Sequence, residues 1–373
     1  MINVDWFFIS HRLPIALKAK EDGYDVHLAC NFTEHYDYLK TLGFTLHKLP
    51  FDRSGFSLLN EVKTIFAIQS LFRSLKPNLV HSVTIKPVLY GGIAARLSRV
   101  NNMVFAVSGL GLVFVAEGMA AKVRRWVISR LYAFALGVKN SKVIFQNPVD
   151  KQVLQKAVGL SESHCTMIKG SGADLSTYSM QPEPESISVV MAARLLKEKG
   201  VCQFVEAARL LKQRGVNASF KLVGEPDPGN PNTVSEKELA VWRQEGIVEL
   251  LGFRQDISQI FAESSIVVLP SFYGEGLPKV LIEAAACGRA VVTTDNPGCL
   301  EAVEADKTAL VVPAKDASAL ANAIERLIKD AELRQSFGLA GRQLAEREFD
   351  VNSVVAKHLA IYAELLEGEA VGQ

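Results

Sequence analysis

Short apolar runs rich in valine, isoleucine and leucine recur along the chain, between longer stretches where apolar residues return every three or four positions. The first pattern reads as buried strands, the second as helices packed by one face. In the first half, residues 1–9 contain a strand, 14–22 a helix closed by Gly23, and 25–30 and 44–49 two more strands. A helix spans 58–75, with Leu59, Val62, Ile65, Phe66 and Ile68 at broadly helical spacing ahead of Pro77. Residues 79–84 form a strand, 88–97 a helix, 103–107 a strand, 120–138 a helix, 142–145 a strand, 149–157 a helix and 166–169 a brief strand. In the second half, strands are expected at 187–193, 220–223, 248–254, 266–270, 290–294 and 310–312. Helices are expected at 201–211, 256–262, 278–287, 317–329, 331–346 and 351–366, and the Pro- and Gly-rich stretch 225–232 is a long loop. This alternation predicts an α/β chain with parallel sheets. Pro182 and Pro184 mark a linker, so the division is 1–175, a linker over 176–185, a second domain over 186–350 and a C-terminal helix in 351–373.

The stretch Ser271-Phe-Tyr-Gly-Glu-Gly-Leu-Pro-Lys-Val-Leu-Ile-Glu283 lies between two of these apolar runs. Gly274 and Gly276 free the backbone, and Pro278 suits the first position of a helix that stops near Gly288. The loop therefore sits at the carboxyl end of a parallel strand, where open α/β sheets bind ligands. Glu275, just before the helix, can accept hydrogen bonds from sugar hydroxyls. Glu283 stands in the otherwise apolar run Val280-Leu-Ile-Glu-Ala-Ala-Ala-Cys287. Buried there it needs a partner, either the two hydroxyls of a ribose or Lys279 four residues earlier.

Arg194 follows the strand at 187–193 directly, and Lys199-Gly200 opens the next helix. Two cations at a strand end beside a helix start suit a diphosphate. The alternative is two solvated charges on a polar turn that also carries Glu198.

The Glu275…Glu283 pair, inside Gly-Glu-Gly-Leu-Pro…Glu-Ala, resembles the E-x7-E motif of retaining glycosyltransferases of the GT-B fold, family 4. Asn3-Val-Asp-Trp-Phe-Phe-Ile-Ser-His-Arg-Leu-Pro14 looks like the opening of the subgroup acting on lipid-linked bacterial oligosaccharide and polysaccharide precursors. Val189-Val-Met-Ala-Ala-Arg-Leu-Leu-Lys-Glu-Lys-Gly200 looks like that family's phosphate-binding segment. The resemblance implies two Rossmann-like parallel-sheet domains facing a central cleft. It implies an N-terminal acceptor domain, a donor-nucleotide domain, and a last helix that returns to the first domain. Relatives have a longer apolar strand running into Val-Asp-Trp, so either the start lies upstream or the strand is shortened here.

The residue roles implied are as follows. Arg194 and Lys199 neutralise the departing diphosphate, Glu275 positions the donor sugar and Glu283 holds the ribose. Gly224, Phe253, Arg254, Gly276 and Leu277 line the donor site. His11, Arg12, Lys86 and the loop Ser108-Gly109-Leu110-Gly111 lie on the acceptor side. Many family members place a histidine at the end of the strand where this chain has Val107-Ser108-Gly109, which removes that group from the acceptor chemistry.

Composition narrows the picture. The 373 residues suit two domains, and 49% apolar with 22% charged marks a globular chain. A net charge of +1 argues against a general nucleic-acid binder. Cys30, Cys165, Cys202, Cys287 and Cys299 are scattered without a C-x-x-C pair, which reads as reduced thiols and a cytosolic chain without structural zinc. There is no secretory signal and no apolar run near 18 residues. No Asp-x-Asp occurs, so no metal is expected on the diphosphate and no cofactor beyond the nucleotide sugar as co-substrate.

In the helix at 120–138, Val123, Val127, Leu131, Phe134 and Val138 form one stripe, with Lys122, Arg124, Arg125, Arg130 and Trp126 beside it. The preferred reading is a core-facing stripe with a solvated basic side. The alternative is peripheral contact with an anionic membrane. The whole reads as a metal-independent, retaining hexosyltransferase. It moves a sugar, HexNAc or related, from a UDP-linked donor to a polyprenyl-diphosphate-linked acceptor at the cytoplasmic face of the membrane. The rivals are a GT-B nucleotide-sugar epimerase and a non-catalytic sugar-nucleotide-binding component of a membrane assembly.

Overall fold

The computed structural model describes residues 1–51, 58–110, 118–272 and 274–370. The chain divides into two compact units, Met1–Ser171 with Asn352–Gln373, and Gly172–Val351.

The first unit opens with residues 1–3 extended: Ile2 N–H donates to Ala29 O, and Val83 N–H to Met1 O. The expected strand through residue 9 does not form; α1 (Asp5–His11) begins at once and α2 (Leu13–Glu21) follows. The reason is Asp5, whose buried carboxylate accepts the N–H groups of Trp6, Thr33 and His35 and the Thr33 hydroxyl. That network turns the chain, and Phe8, one turn on, buries on the same side. Next come β1 (His27–Cys30), α3 (Tyr36–Thr41), β2 (Thr45–Lys48), α4 (Leu58–Leu75), β3 (Val80–Val83) and α5 (Ile85–Ser98). After them stand β4 (Asn102–Val107), α6 (Met119–Leu136), β5 (Asn140–Phe145), α7 (Pro148–Val158) and β6 (Cys165–Met167). The pairs β1-β2 and β3-β4-β5-β6 are parallel throughout. Residues 1–3 stand between the two groups, and a cavity of about 530 Å³ lined by Phe8, Ile15, Phe72, Leu75 and Tyr362 continues from Met1.

The expected core stripe of α6 is overturned. Val123, Val127, Leu131 and Phe134 are exposed, and Tyr132, Ala135 and Leu136 carry the packing, joined by Val138 just beyond the helix. Among the described residues no helix is long and apolar enough to cross a membrane.

The second unit holds β7 (Ser188–Ala192), α8 (Val201–Gln213), β8 (Ser219–Val223), α9 (Glu236–Glu245), β9 (Glu249–Gly252), α10 (Ile257–Ala262) and β10 (Ile266–Leu269). It continues with α11 (Lys279–Ala286), β11 (Ala290–Thr294), α12 (Pro297–Leu300), β12 (Ala309–Val312), α13 (Ala317–Lys329) and α14 (Ala331–Leu344). The sheet is parallel in the order β12-β11-β10-β7-β8-β9, so the strand sequence reverses between β7 and β10. Helix α9 is absent from the sequence reading although its signal is present: Ser235 and Glu238 form a reciprocal capping box.

The stretch expected as the linker over 176–185 falls within the second unit. Arginines satisfy its carbonyls: the half-buried Arg342 donates to Tyr178 O and the buried Arg289 to Gln181 O and Pro182 O, while the buried Arg334 pairs with Glu183. The last helix, α15 (Val351–Ala370), packs in the first unit, where Tyr362 Oη lies 2.6 Å from His81 Nδ1 and Leu365 O accepts from Asn140.

Candidate active site

The reversal between β7 and β10 is where a doubly wound sheet leaves a crevice beyond its strand ends. Both sides of it carry charge. Arg194 leaves the end of β7 half-exposed, and its Nη1 lies 2.8 Å from Asp227 Oδ2. Asp227 comes from the loop after β8, which reaches it by passing Gly224. At that glycine φ is +132°, and a Cβ would lie 1.9 Å from Ala193 O, so only glycine fits.

The residues after Arg194 form a tight 3₁₀ turn, Lys197–Lys199, ended by Gly200 at φ +82°. A Cβ on Gly200 would sit 2.1 Å from Pro270 O, so the turn lies hard against the end of β10. Of the turn's charges, Glu198 is buried and Lys199 keeps 16% of its side-chain exposure, while Arg194 stays half-exposed as in the alternative of solvated charges. Across the reversal, Lys199 Nζ meets Glu275 Oε1 at 2.5 Å, and Ser271 Oγ donates to the same oxygen at 2.8 Å. Ser271 and Phe272 are held in turn by Glu198 O, and Thr294 Oγ1 donates to Ser271 O. Gly298 presses α12 against this loop, since a Cβ there would lie 2.5 Å from Glu275 O. The cation of one strand end and the carboxylate of the other are thus fixed together by backbone on both sides.

Glu283 is 8% exposed on α11. Its charge already has protein partners. Lys279 Nζ lies 3.2 Å from Oε1, and the Tyr178 hydroxyl donates to the same oxygen at 2.7 Å. The Lys279 pair was foreseen as the alternative to a ribose. Tyr178 was not, because its segment read as linker. Burial, with Glu283 beside it, raises the Tyr178 hydroxyl pKa strongly and keeps it a donor. Gly276 and Leu277 are buried in the approach to α11. Phe253 is exposed beyond β9, and Arg254 pairs with Asp256.

In the first unit, Arg12 is buried and donates to His11 O at 3.0 Å and Ser108 Oγ at 3.5 Å, which draws three of the acceptor-side residues together. Burial lowers its pKa to about 10, with Tyr362 pulling it back up. His11 stacks on Phe7 and contacts Ser10 Oγ. Gly109 follows at φ +109°. Lys86, in the first turn of α5, pairs with Glu61 at 2.6 Å. Gly111 lies outside the described residues. Among the described residues no group of three or more His, Cys, Asp or Glu is placed to hold a metal.

The family description "Glycosyl transferase 4-like" matches residues 1–147, and "Glycosyl transferases group 1" matches residues 186–330. Along 96% of the chain and 98% of the relative, the sequence is 29% identical to the Campylobacter jejuni N,N'-diacetylbacillosaminyl-diphospho-undecaprenol alpha-1,3-N-acetylgalactosaminyltransferase. It is 25% identical to the Escherichia coli UDP-Gal:alpha-D-GlcNAc-diphosphoundecaprenol alpha-1,3-galactosyltransferase, over 74% of this chain and 73% of that one. The fold matches Anabaena Alr3699/HepE in complex with UDP at a TM-score of 0.76 and 20% identity, covering 97% of this chain and 98% of that one. Two Rossmann-like units, a charged strand-end pair joined across the reversal of the second sheet, and family matches over both halves lead to one conclusion: the chain belongs to the group 1 and 4-like glycosyltransferases of the GT-B fold.

Proposed function

We propose that this enzyme moves a sugar, HexNAc or related, from a UDP-linked donor to a polyprenyl-diphosphate-linked acceptor, with retention and without a metal. The observation that carries the reading is the similarity along nearly the full length to a Campylobacter jejuni transferase named for an undecaprenyl-diphosphate-linked acceptor. On this reading Arg194 and Lys199 take up the charge that grows on the leaving diphosphate, assisted by the N-terminus of α8. Glu275, held by Lys199 and Ser271, orients the donor sugar. Glu283, whose Oε1 meets Tyr178 and Lys279, offers Oε2 to the ribose. Gly224, Phe253, Arg254, Gly276 and Leu277 shape the donor site. On the acceptor side, Lys86, His11 and Gly109 face the acceptor, while Arg12 acts through Ser108 because it is buried. A retaining glycosidase pairs two carboxylates about 5–5.5 Å apart. Glu275 and Glu283, set on a loop and a helix with separate partners, suit front-side transfer without a covalent enzyme intermediate. The enzyme works at the cytoplasmic face of the membrane, with α6 as its peripheral contact.

The test is UDP release from UDP-HexNAc with and without an undecaprenyl-diphosphate-linked saccharide, followed by the anomeric coupling of the product and a titration with EDTA. Acceptor-dependent release, an α-linked product and full activity in EDTA are expected. Conversion of UDP-HexNAc into an epimeric UDP-sugar without acceptor, read by NMR of the nucleotide sugar, would point to an epimerase, and an inverted product would remove the retaining assignment.

A further inference from the structure

Three neighbouring helices of the first unit share one direction. Glu61 and Lys86 join the first turns of α4 and α5, and Arg96 donates to Phe134 O and Gly137 O, which joins the last turns of α5 and α6. Helix α5 begins two residues after β3 ends, so the first turns of all three stand at the carboxyl end of the sheet, beside Lys86 and Ser108. At that end both outer helices leave apolar side chains in solvent. On α4, Leu59 is 75% and Phe66 61% exposed, with Val62 between them on the same face. On α6, Val123 is 60% and Trp126 63% exposed, with Val127 adjoining. Towards the other end, Arg96 lies over the ring of Phe134 at 4.5 Å.

The charge on these helices is one-sided. They carry eight cations (Lys63, Arg73, Lys86, Arg96, Lys122, Arg124, Arg125 and Arg130) against a single carboxylate, Glu61, which is already paired with Lys86. Yet the whole chain carries a net charge of only +1, so the excess is local. Apolar side chains with a tryptophan, bordered by cations, match the boundary of an anionic bilayer, where apolar groups enter the headgroup layer and cations meet lipid phosphates.

We propose that α4 and α6 form a two-edged docking face for an anionic membrane. The Leu59–Val62–Phe66 edge and the Val123–Trp126–Val127 edge enter the lipid on either side of the sheet's carboxyl end. The proposal rests on the lipid-linked acceptor of the function proposed above and adds α4, whose apolar spacing was read from the sequence but whose exposed edge is seen in the structure. It places the acceptor side of the first unit against the surface that carries the acceptor.

The full chain is tested by co-sedimentation with vesicles of phosphatidylcholine alone or with phosphatidylglycerol. Binding only to the anionic vesicles, loss of that binding at high salt and a blue shift of tryptophan emission are expected. Because the altered residues are exposed, Leu59→Ser with Phe66→Ser should keep the melting temperature. It should weaken vesicle binding about tenfold, as should Val123→Ser with Trp126→Ser. Both pairs should leave transfer to a detergent-free, short-chain acceptor unchanged and slow transfer to an acceptor embedded in vesicles. Equal binding to neutral and anionic vesicles, wild-type binding by the α4 pair, or no vesicle binding with a dimer on gel filtration would each overturn the proposal. Loss of transfer to the short-chain acceptor by the unaltered protein would instead count against the proposed function.

Discussion

Lys199 and Glu275 share one short contact between two strand ends, so neither can be altered alone without disturbing the other. Lys199→Ala leaves a carboxylate that is 11% exposed and loses its cation, with Ser271 still donating to it. Removing one partner of a buried pair costs about 3–5 kcal/mol. This variant should therefore lose both stability and turnover. Lys199→Arg should melt near the wild type yet still turn over more slowly, because a planar fork does not replace a point charge. Arg194 is half-exposed but its partner Asp227 keeps 10% of its side-chain exposure, so Arg194→Ala should lower the melting temperature and also fall in kcat by about 10²–10³, the usual loss of one oxyanion-type donor. Wild-type turnover in both Arg194→Ala and Lys199→Arg would remove the phosphate assignment. At Glu283, Tyr178→Phe deletes one hydrogen bond to a carboxylate, worth about 1.5–3 kcal/mol. The expected result is a KM for the nucleotide sugar raised about tenfold at nearly constant kcat, measured by initial rates.

At the scale of elements, the site depends on how tightly strand exits pass one another. Gly224 lets the loop after β8 cross Ala193 and bring Asp227 to Arg194. Gly224→Ala adds a Cβ into a carbonyl oxygen in a backbone conformation that disfavours side chains. A loss of about 2–4 kcal/mol is expected in denaturant unfolding, with activity falling alongside it. The glycine was marked from sequence for the donor site, but its reason, close approach of two strand ends, needed coordinates. Helix α6 teaches the converse. Its periodicity was plain, yet periodicity identifies a stripe without saying which stripe faces the core. Tyr132 and Ala135 face inward because α5 presents Gly92 there, where a Cβ would lie 2.4 Å from Ala135 O.

For the whole molecule, α15 joins the N-terminal sheet through groups that stay neutral. The pKa of His81 falls well below the ordinary histidine value through burial, with His358, Arg12 and the chain's amino terminus adding to it. That of His358 falls to about 3 through burial and Arg12, against its bond to Val354 O. Unfolded histidines take up protons from about pH 6.5 downward, while these two do not. The unfolded state then binds more protons, so stability is complete above about pH 6.5 and falls as pH drops toward 3. Each ring contributes at most about 1.4 kcal/mol per pH unit. Unfolding midpoints between pH 7 and 5 should decline, and His358→Gln should flatten the decline. An unchanged slope in that variant would show that the ring titrates in the folded chain.

Apart from α1, α3, α9 and α12, the order of strands and helices, the motif Glu275…Glu283 and the cations after β7 stood in the sequence itself, because period and turn chemistry are local properties. The tertiary structure decided the partners. Asp227 reaches Arg194 from a loop 33 residues on, Tyr178 reaches Glu283 from 105 residues away, and Asp5 turns a run of aromatic residues into a helix by bonding Thr33 and His35. A buried charge has to find its partner in space. Which distant residue supplies it depends on how strand ends and helices pack, and the linear pattern of apolar positions does not contain that.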